Sequence, residues 1–125
     1  MKNDDHKWDN KLPTAQMLGR WQPWHAGHQK LFEEILKKTG QVNIMGRDVK
    51  GVDDNTFEFE TVKKNILEAL KGYENRIKVS LVPNITNICY GRGVGYKIEE
   101  IVLDEKTQQI SATKIREQMR KDGKI

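Results

Sequence analysis

The sequence predicts an α/β domain with an open, mostly parallel sheet, and three neighbouring segments lead to this fold class. Residues 14–18 and 41–46 have the apolar content and length of strands. Between them, apolar side chains from Leu31 to Leu36 recur at helical spacing on one face. A strand, a helix and a strand joined by short links form a βαβ unit, whose two strands pair in parallel.

Length and composition favour one small domain. The 125 residues can bury one core but leave little room for a second. We expect residues 1–12, which are polar and aperiodic, to form a flexible N-terminal extension, and residues 13–125 to form the domain. The chain has no membrane-length apolar run and no apolar N-terminal segment, so we expect a cytoplasmic protein without membrane contact.

The charge balance favours anionic partners. Lysine and arginine number 22 against 18 acidic residues, which gives a net charge of +4. A nucleic-acid partner is not expected, because the aromatic residues do not interleave with a basic stripe. His25 and His28 have the spacing of zinc ligands, but His6 is the only other histidine and no Cys-x-x-Cys pair is present. We therefore expect no zinc enzyme and no metal-ligating residue.

Further elements follow along the chain. The apolar pattern predicts a helix over residues 57–71, a strand over 76–82 and a strand over 97–103. The last helix is predicted to begin after Ser111, whose hydroxyl suits an N-cap. The intervening residues 47–55 and 104–109 are predicted to be loops.

The stretch 19–28, Gly-Arg-Trp-Gln-Pro-Trp-His-Ala-Gly-His, forms a strand-to-helix turn in this scheme. Open α/β sheets bind ligands at such turns, because the following helix directs free N–H groups and its positive dipole end towards the ligand. Gly19 and Gly27 allow a sharp turn and close approach of a ligand. His25 and His28 can donate hydrogen bonds to phosphate oxygens.

Two predicted helices begin without a negative charge. No acid occurs in the first helix before Glu33, although acids normally stabilise a first turn. In the last helix, Lys114 and Arg116 come before Glu117. Both helix starts therefore suit an anionic ligand such as a polyphosphate.

Two motifs carry a family resemblance. Gly-Arg-x-Gln-Pro-x-His-x-Gly-His at residues 19–28 resembles the His-x-Gly-His signature of the nucleotidyltransferase superfamily. Ile-Ser-Ala-Thr-Lys-Ile-Arg at residues 110–116 resembles its second signature, Ile-Ser-Ser-Thr-x-Ile-Arg/Lys, with Ala112 in place of a serine. The motifs occur in the family's order. The resemblance implies a Rossmann-like three-layer domain with an open, mostly parallel sheet.

The resemblance also implies a reaction. A nucleoside monophosphate passes from a nucleoside triphosphate to a small phosphorylated acceptor, pyrophosphate leaves, and Mg²⁺ bridges the triphosphate oxygens. The short chain favours CMP transfer from CTP, as in small cytidylyltransferases such as glycerol-3-phosphate cytidylyltransferase. The residues of the first motif are more similar to those of adenylyltransferases, which use ATP and an NMN- or phosphopantetheine-like acceptor. A non-catalytic nucleotide-binding protein is a further alternative, and a homodimer is expected from the resemblance alone.

The candidate site residues follow from these motifs. The resemblance assigns catalytic roles to His25, His28 and Arg116. It assigns nucleotide binding to Gly19, Arg20, Trp21, Gly27, His28, Ser111, Thr113 and Arg116. Trp21 and Trp24 replace the more usual phenylalanines and are expected to pack in the pocket wall or to contact the acceptor, with core packing expected for one of them.

Three cations outside the motifs are candidates for binding the acceptor. Arg47 and Lys50 lie in the loop after the second strand, at the carboxyl end of the sheet. Arg92 lies in the glycine-containing run over residues 90–96, which we expect to line the pocket as a turn.

Overall fold

A computed structural model describes residues 2–93 and 95–125 of the chain. The elements in chain order are β1 (Ala15–Gly19), α1 (Ala26–Thr39), β2 (Val42–Arg47), α2 (Phe59–Ala69), β3 (Ile77–Val82), α3 (Glu105–Gln108) and α4 (Ala112–Lys121). A short 3-10 turn, Glu74–Arg76, precedes β3. The described chain is thus an α/β fold with four helices and a small open sheet of three parallel strands, which confirms the predicted class.

The strands lie in the order β1-β2-β3, and both neighbouring pairs are parallel. In register, Met17 lies opposite Ile44, and Ile44 lies opposite Val79. Parallel neighbours need a connection that returns the chain to the same end of the sheet, and α1 and α2 supply those connections. The predicted βαβ unit is therefore confirmed.

The core lies between one face of the sheet and the helices. Val42 and Ile44 of the central strand are fully buried, and Met17 of β1 is 3% exposed on the same face. They share one apolar cluster with Phe32 of α1 and Ile66 of α2, both of which are also fully buried. Along β2, buried residues alternate with half-buried ones, which is the pattern of a strand with one apolar face.

The opposite face of the sheet is mixed in character and less buried: Leu18, Met45 and Ser80 lie in register there and are half-buried. Gln16, Asn43 and Lys78 lie side by side in register, one residue out of phase with the core positions. Gln16 and Lys78 are exposed, and Asn43 is half-buried and accepts a hydrogen bond from the Ser80 hydroxyl at 3.1 Å. Helix packing against the described sheet therefore buries one face much more than the other.

The N-terminal residues contact the amino ends of the strands. The fully buried Gln41 donates from its side-chain nitrogen to the Asp9 carbonyl at 2.8 Å. Arg76, which is 9% exposed, donates from Nε to the Lys2 carbonyl and pairs with the Asp4 carboxylate at 3.5 Å. Flexibility of the extension in solution stays a prediction.

Most predicted elements are confirmed, with boundaries shifted by no more than two residues, but the strand over 97–103 is wrong. Those residues pair with no strand in the described chain, although the half-buried Ile101 packs against the core. The adjacent Glu99 and Glu100 interrupt the alternation that a half-buried strand requires. Glu99 instead pairs with Lys38 of α1 at 3.4 Å. Part of the predicted loop over 104–109 forms the short helix α3.

No helix in the described ranges combines the length and the apolar character needed to cross a bilayer.

Replacement of Gly19 by alanine tests the packing at the end of β1. A Cβ atom at this position would lie 2.6 Å from the indole ring of Trp21. Trp21 is 5% exposed and its Nε1 donates to the Met45 carbonyl, so the ring is held in place by packing and by this hydrogen bond. We expect Gly19→Ala to lower the free energy of unfolding by about 2 kcal/mol, measured by chemical denaturation.

Gly91→Ala is the matched control, because nothing lies within 4 Å of a Cβ atom there. We expect it to change the free energy of unfolding by less than about 0.5 kcal/mol. Equal effects of the two substitutions would contradict the packing argument.

Candidate functional site

The turn after β1 is anchored by two buried tryptophans. Trp21 is 5% exposed and Trp24 is 9% exposed, and their ring centroids lie 5.1 Å apart. Trp21 has a backbone φ of +53°, and its ring covers Gly19. Both tryptophans belong to the core cluster, so core packing is the role that the structure shows for each of them. Gly19 makes room for the Trp21 ring.

Two histidines cap the N-terminus of α1. His25 is the N-cap residue, and its Nδ1 accepts hydrogen bonds from the backbone N–H of Gly27 at 3.0 Å and of His28 at 3.4 Å. In return, Nδ1 of His28 accepts from the backbone N–H of His25 at 3.1 Å. This is a capping box in which two imidazoles replace the usual hydroxyl and carboxylate. The cap therefore needs no acidic residue in the first turn.

The cap fixes where each ring carries its proton. A neutral imidazole that accepts at Nδ1 carries its proton on Nε2, so both rings present an Nε2–H donor. The rings are stacked, with centroids 3.5 Å apart. Burial lowers the pKa of His25 below its usual value. Burial and, secondarily, repulsion from His25 when that ring is protonated lower the pKa of His28 to about 3. Both histidines are accordingly neutral donors at pH 7.

Aromatic rings enclose His28. The Trp21 ring meets it edge to face at 4.8 Å, and the Trp24 ring lies at 5.5 Å. This packing takes the imidazole out of water, which is the physical cause of its low pKa. Gly27 is buried below His25, and a Cβ atom there would lie 2.8 Å from Cε1 of that ring. Gly27 thus allows His25 to fold over the first turn of α1.

The second motif forms the start of α4. Ser111 is the N-cap residue, and its hydroxyl accepts from the backbone N–H of Lys114 at 3.4 Å. The first turn of α4 carries no acidic residue, and Thr113 is exposed there. The Thr113 hydroxyl accepts from Nη2 of Arg116 at 3.4 Å.

Arg116 joins the two motifs. Arg116 is 5% exposed, and its Nη1 donates to the backbone carbonyl of Gln22 in the turn after β1. Its Nε donates to the Asp54 carboxylate at 3.1 Å. The structure therefore brings the motif at residues 110–116 into direct contact with the motif at residues 19–28.

A narrow crevice lies beside this contact, at the carboxyl ends of β1 and β2. The predicted cations Arg20, Arg47 and Lys50 all line it. Nη2 of Arg47 donates to the Asn84 side chain at 2.7 Å, whereas its Nε is buried without a hydrogen-bond partner. Lys50 lies 3.8 Å from the Glu58 carboxylate. The crevice lining therefore carries more positive than negative charge, and one of its buried side-chain nitrogens has no hydrogen-bond partner.

The crevice is closed in this structure. The side-chain amide of Gln22 donates to the Phe57 carbonyl at 2.9 Å and accepts from the Phe57 N–H at 2.8 Å. The enclosed space, about 10 Å³, admits no more than one water molecule. Small-molecule pockets measure about 300–1,000 Å³, so the crevice in its present form is too small for a small-molecule ligand.

Arg92 is not brought to this crevice. It lies in the exposed segment after β3 and is absent from the residues that line the crevice. The backbone carbonyl of Arg92 accepts from the Tyr96 hydroxyl at 2.8 Å. Val94, which belongs to the same predicted turn, lies outside the described residues.

Gln22 and Asp54 are site residues that the sequence reasoning did not select. Gln22 lies inside the first motif, so its position was a usable signal. Asp54 is one of three aspartates in the loop after β2, and nothing in the sequence distinguishes it from Asp48 or Asp53. Its contact with Arg116 spans 62 residues of chain and is visible only in the fold.

The low pKa of His28 predicts a pH-dependent stability. The unfolded imidazole binds a proton below a pKa of about 6.5, whereas the folded one stays neutral down to a pKa of about 3. The unfolded state thus binds more protons, and stability falls as the pH drops through this window. We expect a loss of about 1–2 kcal/mol between pH 6.5 and 5, measured by urea denaturation at several pH values.

His28→Asn is the variant that isolates this effect. The asparagine oxygen can replace Nδ1 as acceptor for the His25 N–H, but asparagine does not titrate. We expect a smaller pH slope in the variant between pH 6.5 and 5. An unchanged slope would show that another group causes the pH dependence.

Comparison of the chain with models of known protein families and with curated protein sequences gives no match. The resemblance to nucleotidyltransferases therefore rests on the residues of the two motifs.

Proposed function

We propose that the protein is a nucleotidyltransferase that transfers a nucleoside monophosphate, with CMP favoured, to a small phosphorylated acceptor. One observation supports this most directly. Arg116 of the second motif donates to the Gln22 carbonyl of the first motif, so the two motifs that resemble the superfamily lie side by side.

The local charges support a polyphosphate ligand. The helix dipole favours anions at the starts of α1 and α4, and no acidic residue in either first turn would compete with an anionic ligand there. The stacked rings of His25 and His28 offer two Nε2–H donors without a positive charge of their own. These groups suit the α- and β-phosphates, while Ser111, Thr113 and Arg116 suit the phosphates that leave as pyrophosphate.

The proposed reaction needs little acid–base chemistry. A phosphate oxygen of the acceptor attacks the α-phosphorus, the bond from that phosphorus to the bridging oxygen breaks, and pyrophosphate leaves with the electron pair. The attacking phosphate is already ionised at pH 7, so no general base is required. Neutral imidazole donors stabilise the charge on the crowded phosphorus by hydrogen bonding, and they do so without losing a proton.

The proposal includes Mg²⁺ as an ion bound to the substrate phosphates. The described residues include no group of three or more histidine, cysteine, aspartate or glutamate side chains placed to hold a metal ion. Mg²⁺ commonly keeps several waters and binds mainly through substrate phosphates, so a protein cage is not needed. When bound, it would neutralise part of the triphosphate charge. The chain's own donors, His25 and His28, would then orient the reacting phosphate.

The proposal carries the finer expectations of the resemblance with it. They are a Rossmann-like three-layer nucleotide-binding domain, a homodimer and a cytoplasmic location. CTP is the favoured triphosphate, and adenylyl transfer from ATP is the alternative. Arg20, Arg47 and Lys50 are the proposed contacts for the acceptor or the triphosphate, because they share one crevice.

Pyrophosphate release tests the proposal. The protein is incubated with Mg²⁺, CTP or ATP, and a panel of phosphorylated acceptors that includes glycerol 3-phosphate. We expect release with one pair, and we expect His28→Asn to lower the rate about 100-fold because it removes one Nε2–H donor. Thr113→Ala should mainly raise the KM for the triphosphate, since it removes a peripheral hydroxyl.

His6→Asn is the matched control, since it makes the same change at the opposite end of the sheet, beside Gln41. We expect an unchanged rate. Full activity of His28→Asn would contradict the role of the histidine pair. Triphosphate binding without pyrophosphate release from any acceptor would favour a non-catalytic nucleotide-binding protein.

A further inference from the structure

The loop between β2 and α2, residues 48–58, is fastened to α4 by a single carboxylate. Oδ2 of Asp54 accepts from Nε of Arg116 at 3.1 Å and from Nη1 of Arg120 at 3.4 Å. Oδ1 of Asp54 accepts from Nη2 of Arg120. One carboxylate thus lies between two guanidinium groups on the same face of α4. Such a pair of guanidiniums is a recurrent binding arrangement for phosphate.

The same loop closes the crevice. Its end at Phe57 pairs with the Gln22 amide, and its residues Val49, Lys50 and Asp48 form much of the crevice wall. The remaining space is about 10 Å³, which is far below the volume of a nucleotide. Ligand entry therefore requires this loop to move.

The contacts that hold the loop differ in strength. Asp54 and Arg120 are open to water, with 46% and 41% of their side chains exposed, and exposed ion pairs contribute little. Arg116, in contrast, is buried and also bonded to the Gln22 carbonyl. A ligand anion can thus replace the carboxylate as the charged partner of buried Arg116, which keeps its hydrogen bond to the Gln22 carbonyl.

We propose that Asp54 gates the site: it occupies the Arg116–Arg120 pair until a polyphosphate displaces it, and its release leaves the Gln22–Phe57 hydrogen bonds as the remaining contacts that close the crevice. The inference rests on the proposed function, because that function places phosphates at Arg116. It adds a competing internal anion, and it adds Arg120 as a phosphate contact outside both motifs. A polyphosphate carries several negative charges against one on Asp54, which favours the exchange.

Removal of the Asp54 charge tests the gate. The probe is inorganic tripolyphosphate, and its dissociation constant is measured by calorimetry for the wild-type chain, Asp54→Asn and Asp53→Asn. Asp53→Asn is the matched control. It removes the same charge from the neighbouring position, and Asp53 forms no ion pair among the described residues. We expect Asp54→Asn to bind about two- to fivefold more tightly than the wild-type chain, and Asp53→Asn to differ less.

Amide hydrogen exchange gives a second measurement that does not depend on affinity. The closed loop has three internal backbone bonds: Gly51 N–H to Asn55 O, Val52 N–H to Val49 O, and Asn55 N–H to Val52 O. We expect faster exchange at residues 51–55 in Asp54→Asn, and in the wild-type chain after addition of tripolyphosphate. Asp54→Ala should behave as Asp54→Asn does.

The outcomes separate the gate from the proposed function. Weaker or equal tripolyphosphate binding by Asp54→Asn overturns the gate and makes Asp54 a residue that positions α4. Absence of tripolyphosphate binding in every variant also overturns it. If CTP or ATP is turned over in that case, the proposed function stands without the gate. If Asp54→Asn binds tripolyphosphate more tightly and no nucleotide is turned over, the gate stands and the transferase proposal fails.

Discussion

The site depends on the hydrogen bonds of one buried group, the guanidinium of Arg116. A charge removed from water is strongly destabilising unless it is paired and hydrogen-bonded. Arg116 meets this requirement with three acceptors: the Gln22 carbonyl, the Asp54 carboxylate and the Thr113 hydroxyl. These acceptors belong to the turn after β1, the loop after β2 and α4 itself. One side chain therefore sets the relative position of three segments that are far apart in sequence.

The histidine pair shows how stability and proposed function share the same atoms. Each Nδ1 is used to cap α1, which leaves each Nε2–H for a ligand. The cap fixes the ring orientations, and the rings of Trp21 and Trp24 keep His28 dry and uncharged. A donor pair fixed in this way costs little reorganisation when a phosphate binds. The same packing ties the stability of the α1 start to these two rings.

The sequence predicted the local features of this protein and the parallel pairing of β1 with β2, but it missed the side-chain partners of Arg116. Strands β1 to β3, helices α1 and α2, and the Ser111 cap follow from apolar periodicity and capping residues, which act over a few positions. The strand expected over residues 97–103 failed because its apolar residues lack strict alternation. Electrostatic reasoning identified both helix starts as poor in acid, and the structure confirms this. The partners of Arg116 could not be predicted, because pairing across 62 or 94 residues depends on the folded arrangement.

The two ends of the sheet differ in how well their buried polar groups are paired. At the amino end, buried Gln41 makes several hydrogen bonds to the N-terminal residues, and buried Arg76 donates to the Lys2 carbonyl and pairs with the Asp4 carboxylate. In the described chain, the buried side-chain atoms without a partner are Nε of Arg47 and Oδ1 of Asn55, both at or just beyond the carboxyl end of β2. Unpaired buried polar groups are unfavourable, so their persistence calls for a ligand or a movement that pairs them. With the proposed opening of the loop, both atoms would gain access to water or to a bound anion.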